Sequence, residues 1–310
     1  MMRISTSVFG VIKPYGMEEG LKMLAEAGFE AIDYSMTQNA MNWEEEPFTD
    51  PSNPAFAEHF KKIAKTVRDC GLQMYQCHAP YASVSLSDPV FYTKLQQQTI
   101  RSVYAAAYME CPYIVVHPVL DVAFCHGQNK ELARQASLDY FSAIAPALKE
   151  TGVTMCIENL FFYIRETKEW AICYGSTGEE LRDIIDTLNE MHGSHFAACV
   201  DTGHAVVAKQ DPVEILKILG DRVKVLHIQD NLGVKDEHLI PTEGKIDWKR
   251  VATALGEIGY TGTFNFEVTK PFGELHRDTF SRETFKCACK YLYLVGRSLA
   301  DIAEGTFVPG

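Results

Sequence analysis

Six residues that could bind a cation or move a proton, His78, His117, Glu158, Asp201, His227 and Glu267, each fall at or beside the end of a short apolar run. A buried strand that terminates in a carboxylate must solvate or neutralise that charge, and one divalent cation does so for several carboxylates at once. Any one of these residues alone reads as a hydrogen-bonded polar group at a strand end; in register on successive strands they point to a shared ligand. Glu158, Asp201, His227 and Glu267 form the strongest set. Three carboxylates and one imidazole are hard, oxygen-rich donors, which suit one divalent metal ion, Mn²⁺, Mg²⁺ or Co²⁺, with Zn²⁺ also compatible.

The elements that must carry these residues are legible as a repeat. Glu26-Ala27-Gly28, Asp69-Cys70-Gly71, Glu150-Thr151-Gly152 and Glu257-Ile258-Gly259 each read as a helix closing on a glycine before a buried strand. The helices before them carry apolar stripes such as Phe56, Phe60, Ile63 and Val67. Eight strands are expected near Ile4–Phe9, Ala31–Ser35, Gln73–His78, Tyr113–His117, Thr154–Glu158, Phe196–Asp201, Val223–His227 and Thr263–Val268. Most are nearly continuous apolar runs, as strands covered on both faces should be. Ser176-x-x-Glu179 reads as a capping box, and Asp247 as an N-cap, with Lys245 and Trp248 anchoring the helix that follows. Alternation of strand and helix without a Pro-, Gly- or Ser-rich linker predicts one α/β domain, residues 1–310, folded as a (β/α)8 TIM barrel.

Two connections, 38–54 and 159–178, are long and aromatic, and both leave carboxyl ends of strands, where barrel active sites are built. Trp43 in the first is a candidate substrate contact. The alternative for each aromatic is packing or a contact within a homo-oligomer. The remaining histidines, His59, His126, His192, His195 and His276, fall away from the strand ends and read as surface or packing residues.

The chain has 310 residues, 46% of them hydrophobic and 23% charged, which is the range of a folded barrel rather than a disordered chain. Met1-Met2-Arg3 leads straight into a strand pattern and no run approaches the length of a membrane span, so a cytoplasmic protein without membrane partners is expected. Nine cysteines without a Cys-x-x-Cys pair suit a reducing compartment. A net charge of -12 repels polyanions, so no nucleic-acid partner is expected and a small neutral substrate is favoured. The loops after the seventh and eighth strands, 230–235 and 268–273, hold one lysine each, Lys235 and Lys270, and no glycine-rich nest for phosphate.

Cys77-His78-Ala79-Pro80, Val116-His117-Pro118, Ile157-Glu158-Asn159, Asp201-Thr202-Gly203-His204, His227-Ile228-Gln229-Asp230 and the stretch Asp236 to Trp248 together resemble the xylose isomerase-like barrel superfamily, in its branch of sugar phosphate isomerases and epimerases. The resemblance spans nearly the whole chain. It implies that Glu158, Asp201, His227 and Glu267 bind one divalent ion and that the two glutamates move the proton. His204, with His78, His117 and His238, would then contact a small sugar or polyol substrate. Where the ketose epimerases of this family carry a further glutamate and an arginine, this chain has Ile164 and Gly233.

The expected chemistry is isomerisation or epimerisation by proton abstraction beside a carbonyl, through an ene-diolate. Dehydration of an inosose-type ketone begins with the same step. A second resemblance, to the type IV apurinic endonucleases with their three zinc ions, involves His78, His117, Glu158, Asp201, His204, His227, Asp236, His238 and Glu267; the acidic net charge argues against it. A sugar-binding protein without turnover is the third alternative.

Overall fold

A computed structural model describes residues 1–36, 43–81, 86, 88–268 and 279–309. Its strands are β1 (Ile4–Ser7), β2 (Ala31–Ser35), β3 (Gln73–His78), β4 (Tyr113–Val116), β5 (Thr154–Glu158), β6 (Phe161–Ile164), β7 (Glu169–Ile172), β8 (Phe196–Asp201), β9 (Val223–His227) and β10 (Phe264–Phe266). Eight of them form one parallel sheet in the order β10-β1-β2-β3-β4-β5-β8-β9. The ring closes between its ends: Ile228 N donates to Asn265 O at 2.8 Å and Glu267 N donates to Ile228 O at 3.0 Å. The protein is thus a (β/α)8 barrel.

Helix–strand packing follows the predicted stripes. Asn53 caps helix Pro54–Asp69 by accepting from Ala55 N, proline occupies its first turn, and Phe56, Phe60, Ile63 and Val67 are its buried face. The four predicted glycine stops, Gly28, Gly71, Gly152 and Gly259, all have positive φ. At Gly28, with φ 112°, an L side chain would be strained and would also strike the Tyr293 ring. Inside the ring a small cluster of Ala31, Tyr75, Val115, Cys156, Ala197, Cys199 and Val225 fills the floor. Because side chains alternate along a strand, Glu158, Asp201 and His227 lie on the same face of their strands as Cys156, Cys199 and Val225, two residues before them.

Several boundaries differ from the sequence expectation, β4 stopping at Val116 and β10 spanning only Phe264–Phe266. β1 ends at Ser7, and Phe9 instead opens helix Phe9–Tyr15. Residues 159–178 are not plain loop: β6 and β7 pair antiparallel, with Tyr163 opposite Trp170. Helix Gly178–His192 is capped by Thr177, which accepts from Glu180 N, one residue later than the predicted box. Ser176 is diverted, since its hydroxyl donates to Leu160 O and accepts from Cys173 N, fastening the hairpin's ends. Among the described residues no helix is long and apolar enough to cross a membrane.

Candidate functional site

The strand ends converge. Glu158 ends β5, Asp201 ends β8, His227 ends β9, and Glu267 follows β10 directly. Each presents a donor atom within 4.8 Å of the others. Ligands on opposite sides of an ion, each ~2.0–2.4 Å from it, stand about 4–4.8 Å apart, so the quartet fits one divalent cation. The backbone enforces the convergence. Asn159 Nδ2 donates to Asp201 O at 2.9 Å and Asp201 N donates to Asn159 Oδ1 at 2.8 Å, which clamps the end of β5 to that of β8. Asp201 caps the short helix Thr202–Val207 through Oδ1, receiving His204 N at 2.6 Å. A Cβ at Gly203 would meet Gln229 Oε1 at 2.1 Å, so a larger residue there would displace the Gln229 amide.

Glu158 is the hub. Its Oε1 lies 2.7 Å from His227 Nδ1 and 3.4 Å from His204 Nδ1, and its Oε2 lies 3.3 Å from His78 Nε2 and 3.4 Å from His117 Nε2. Burial disfavours its charge, but His227, His78 and His204 outweigh burial and hold the carboxyl well below its ordinary range. Asp201 moves the other way: burial raises it to about 7 against the pull of His204, with Glu158, Glu267 and Asp236 adding to the rise. Burial, then the neighbouring His78, lowers His117 to about 3. Desolvation works against a charged His227, yet Cys199, Glu267 and Glu158 together raise it well above the imidazole range. The quartet therefore concentrates negative charge that protons must neutralise unless a cation does.

Two further donor groups flank the quartet: His78, His117 and Glu158 on one side, and His204, Asp236 and His238 on the other. Asp236 Oδ2 lies 2.8 Å from His238 Nε2 and 3.5 Å from His204 Nε2. The loop that carries Asp236 and His238 is organised by Asp230, which is fully buried. Its carboxylate accepts from Thr242 N, Gly244 N, Ile246 N and Trp248 Nε1 at 2.8–3.2 Å. Trp248 thus anchors its helix, and Asp247 caps it by accepting from Arg250 N.

The family model for the xylose isomerase-like TIM barrel matches residues 21–287. The chain belongs to that family. One relative of this xylose isomerase-like barrel is y4fM, an uncharacterised protein of Sinorhizobium fredii (strain NBRC 101917 / NGR234), 24% identical over 275 residues and matched over 81% of each chain. Similar solved structures include D-psicose 3-epimerase with D-tagatose from Clostridium cellulolyticum H10, at 13% identity and TM-score 0.67, covering 96% of this chain and 99% of that one. The IOLI protein with a binding zinc atom is similar at 15% identity and TM-score 0.69, covering 99% and 100%. At such identities the likeness shows the fold.

Every strand-end residue singled out in the sequence of this xylose isomerase-like barrel lies in the cluster, together with His204 and His238. Trp43 does not. It is 5% exposed and stacks on Phe60 at 6.3 Å with Phe48 at 6.4 Å, so it packs onto helix Pro54–Asp69 as core. The aromatic that does reach the site from the hairpin is Phe161, whose ring meets that of His204 edge-on at 5.2 Å and rests on Trp170 at 4.7 Å. Tyr81 closes the other side, 4.3 Å from His78. His59 packs on Phe48 and His192 bonds Ser142, as expected of packing residues. Lys235 is exposed beside Glu237. Residues 38–42, Lys270 with the loop segment 269–273, and His276 lie outside the described residues. Sequence reasoning missed Asp33, a carboxylate in the middle of apolar β2, and gave Asn159 no role; an acid inside a buried run was the available signal.

Proposed function

We propose that this protein is a divalent-metal-dependent isomerase or epimerase of a small, unphosphorylated sugar or polyol ketone. The observation that carries the reading is the convergence of Glu158, Asp201, His227 and Glu267 at the carboxyl ends of adjacent strands of a closed barrel. These four residues would hold a divalent ion, which would supply Lewis-acid polarisation to a substrate carbonyl. Glu267 takes the proton beside that carbonyl. Its carboxylate is 3.5 Å from His227 Nδ1 and 3.8 Å from His238 Nδ1, whereas Glu158 is surrounded by four imidazoles. Glu158, the second glutamate of the quartet, would return the proton from the other face after taking one up from solvent. His204 and His238 orient substrate hydroxyls, and Phe161 and Tyr81 limit water around the reacting carbons. A neighbour in fold named D-psicose 3-epimerase, solved with D-tagatose, supports the substrate class. The test is solvent exchange: candidate ketoses incubated with protein and Mn²⁺ in D₂O should gain deuterium beside the carbonyl. Binding of a sugar without exchange would instead indicate a binding protein.

The two flanking donor groups favour one competing reading, a site for three ions that hydrolyses a phosphodiester. Elemental analysis separates the two, with about one ion per chain expected here; three ions together with cleavage of an abasic duplex would replace the isomerase reading.

A further inference from the structure

Behind the quartet, on the side of His227 that faces away from Glu158, lies Asp33. It sits on β2, whereas His227 ends β9, so the contact crosses the barrel interior. Asp33 is 2% exposed, and its Oδ2 lies 3.1 Å from His227 Nε2. The same oxygen accepts from Gln76 Nε2 at 3.1 Å and Asn265 Nδ2 at 3.3 Å. Gln76 and Asn265 each also donate to Leu226 O, at 3.3 and 3.2 Å, so they fix the backbone immediately before His227. Two amide donors already aimed at Oδ2 mean that this oxygen is an acceptor, and His227 Nε2 must bring a hydrogen to it. The other ring nitrogen, Nδ1, is thereby the one left to face Glu158 and Glu267, 2.7 and 3.5 Å away.

We propose that Asp33 is a positioning residue for the metal centre: across the barrel it holds His227 with the hydrogen on Nε2 and the lone pair of Nδ1 turned to the ion. This rests on the metal-dependent reading above. A carboxylate behind a ligating imidazole fixes ring orientation and raises ligand basicity, and its loss typically costs ten- to a hundredfold in metal affinity. The substitution Asp33→Asn is a mild one. The three donors select the amide oxygen for the Oδ2 position, and the amide nitrogen falls where Oδ1, buried and without a hydrogen bond, now lies. The charge is removed, and two amide hydrogens take the place of the unpartnered Oδ1. Asp33→Ala removes the acceptor as well.

Mn²⁺ and Co²⁺ titrations of chelator-treated protein, read by calorimetry and by the visible bands of bound Co²⁺, test the assignment. Kd should rise about tenfold in Asp33→Asn and about a hundredfold in Asp33→Ala, with altered Co²⁺ bands in the latter. Thermal unfolding of the metal-free proteins is followed alongside so that every titration is made on folded protein, and altered Co²⁺ bands of folded Asp33→Ala are a readout that a merely structural role would not move. Folded Asp33→Asn and Asp33→Ala proteins that bind both ions within twofold of wild type would overturn the proposal. If wild-type protein itself binds neither ion, the metal-dependent reading fails, and the two failures are distinct.

Discussion

Glu158 and Glu267 are the same residue type in very different surroundings, and this asymmetry decides what each substitution should do. Glu267→Gln keeps an oxygen donor of the same shape while removing the charge and the proton-accepting carboxylate. Metal should bind more weakly yet be recovered with excess Mn²⁺, while turnover stays two to four orders of magnitude down, the usual cost of losing a general base. Asp201→Asn should differ. Asp201 already spends Oδ1 on the cap to His204 N and has no assigned proton to move, so saturating metal should restore much of its activity. Steady-state rates and solvent-exchange rates at saturating Mn²⁺ check both; near-wild-type exchange in metal-saturated Glu267→Gln would remove Glu267 as the base.

At the scale of elements, the site depends on connections that are not regular structure. The loop between β9 and helix Trp248–Glu257 delivers Asp236 and His238, and it has few ladder bonds of its own beyond the bridge of Asp230 with Leu239. Asp230 substitutes for a ladder, with both carboxylate oxygens receiving N–H donors. Asp230→Asn would turn an amide N–H₂ against some of those donors, leaving them unsatisfied in a buried place. The expected loss is about 3 kcal/mol of stability in urea unfolding, on the scale of charge-assisted bonds broken in the interior. The hairpin of β6 and β7 is the second such element. Phe161→Ala removes the ring that covers His204, and KM, read on folded protein, should rise severalfold; because the ring is buried against Trp170, a stability loss of about 3 kcal/mol should accompany it.

For the whole molecule, the clustered charge links stability to metal and to pH. Burial opposes a charged His238, but Asp236 and Glu267 raise it from 6.5 to about 10. An imidazole raised in the folded state contributes stability that is complete below pH 6.5 and is lost as pH climbs toward 10. His204 and His227 shift in the same direction. Asp201, an acid raised from 3.8 to about 7, also makes stability fall as pH rises between those values, since its ionised form is disfavoured in the fold. Glu158 has the opposite sign, adding stability above its ordinary 4.5. Metal-free protein should therefore lose thermal stability from about pH 6.5 upward, more steeply than metal-loaded protein, in which the ion replaces the protons. Scanning unfolding of EDTA-treated and Mn²⁺-loaded samples across this range measures the divergence; parallel curves would mean that the cluster does not bind the ion. At a free concentration about a thousand times Kd, the ion should add ~4 kcal/mol.

The sequence by itself determined the barrel and the ring of strand-end His, Glu and Asp residues, because both are local signals. A glycine after each of four helices, and an apolar run ending in His, Glu or Asp, are legible within a dozen residues, and five of the eight barrel strands begin and end where the sequence places them. Trp43 shows the limit: its place in a long aromatic connection after a strand left substrate contact and packing both open, and only the neighbouring helix, with Phe60 stacked on the ring, assigns it to the core. The hairpin at 161–172 was similarly hidden, its strands being too short to stand out in an aromatic segment. Asp33 lies 194 residues from His227 along the chain, and nothing in its own strand says which ring it faces. Barrel closure brings β2 across from β9, and that long-range geometry alone decides which carboxylate stands behind His227, which of its ring nitrogens faces Glu158 and Glu267, and which imidazoles surround Glu158.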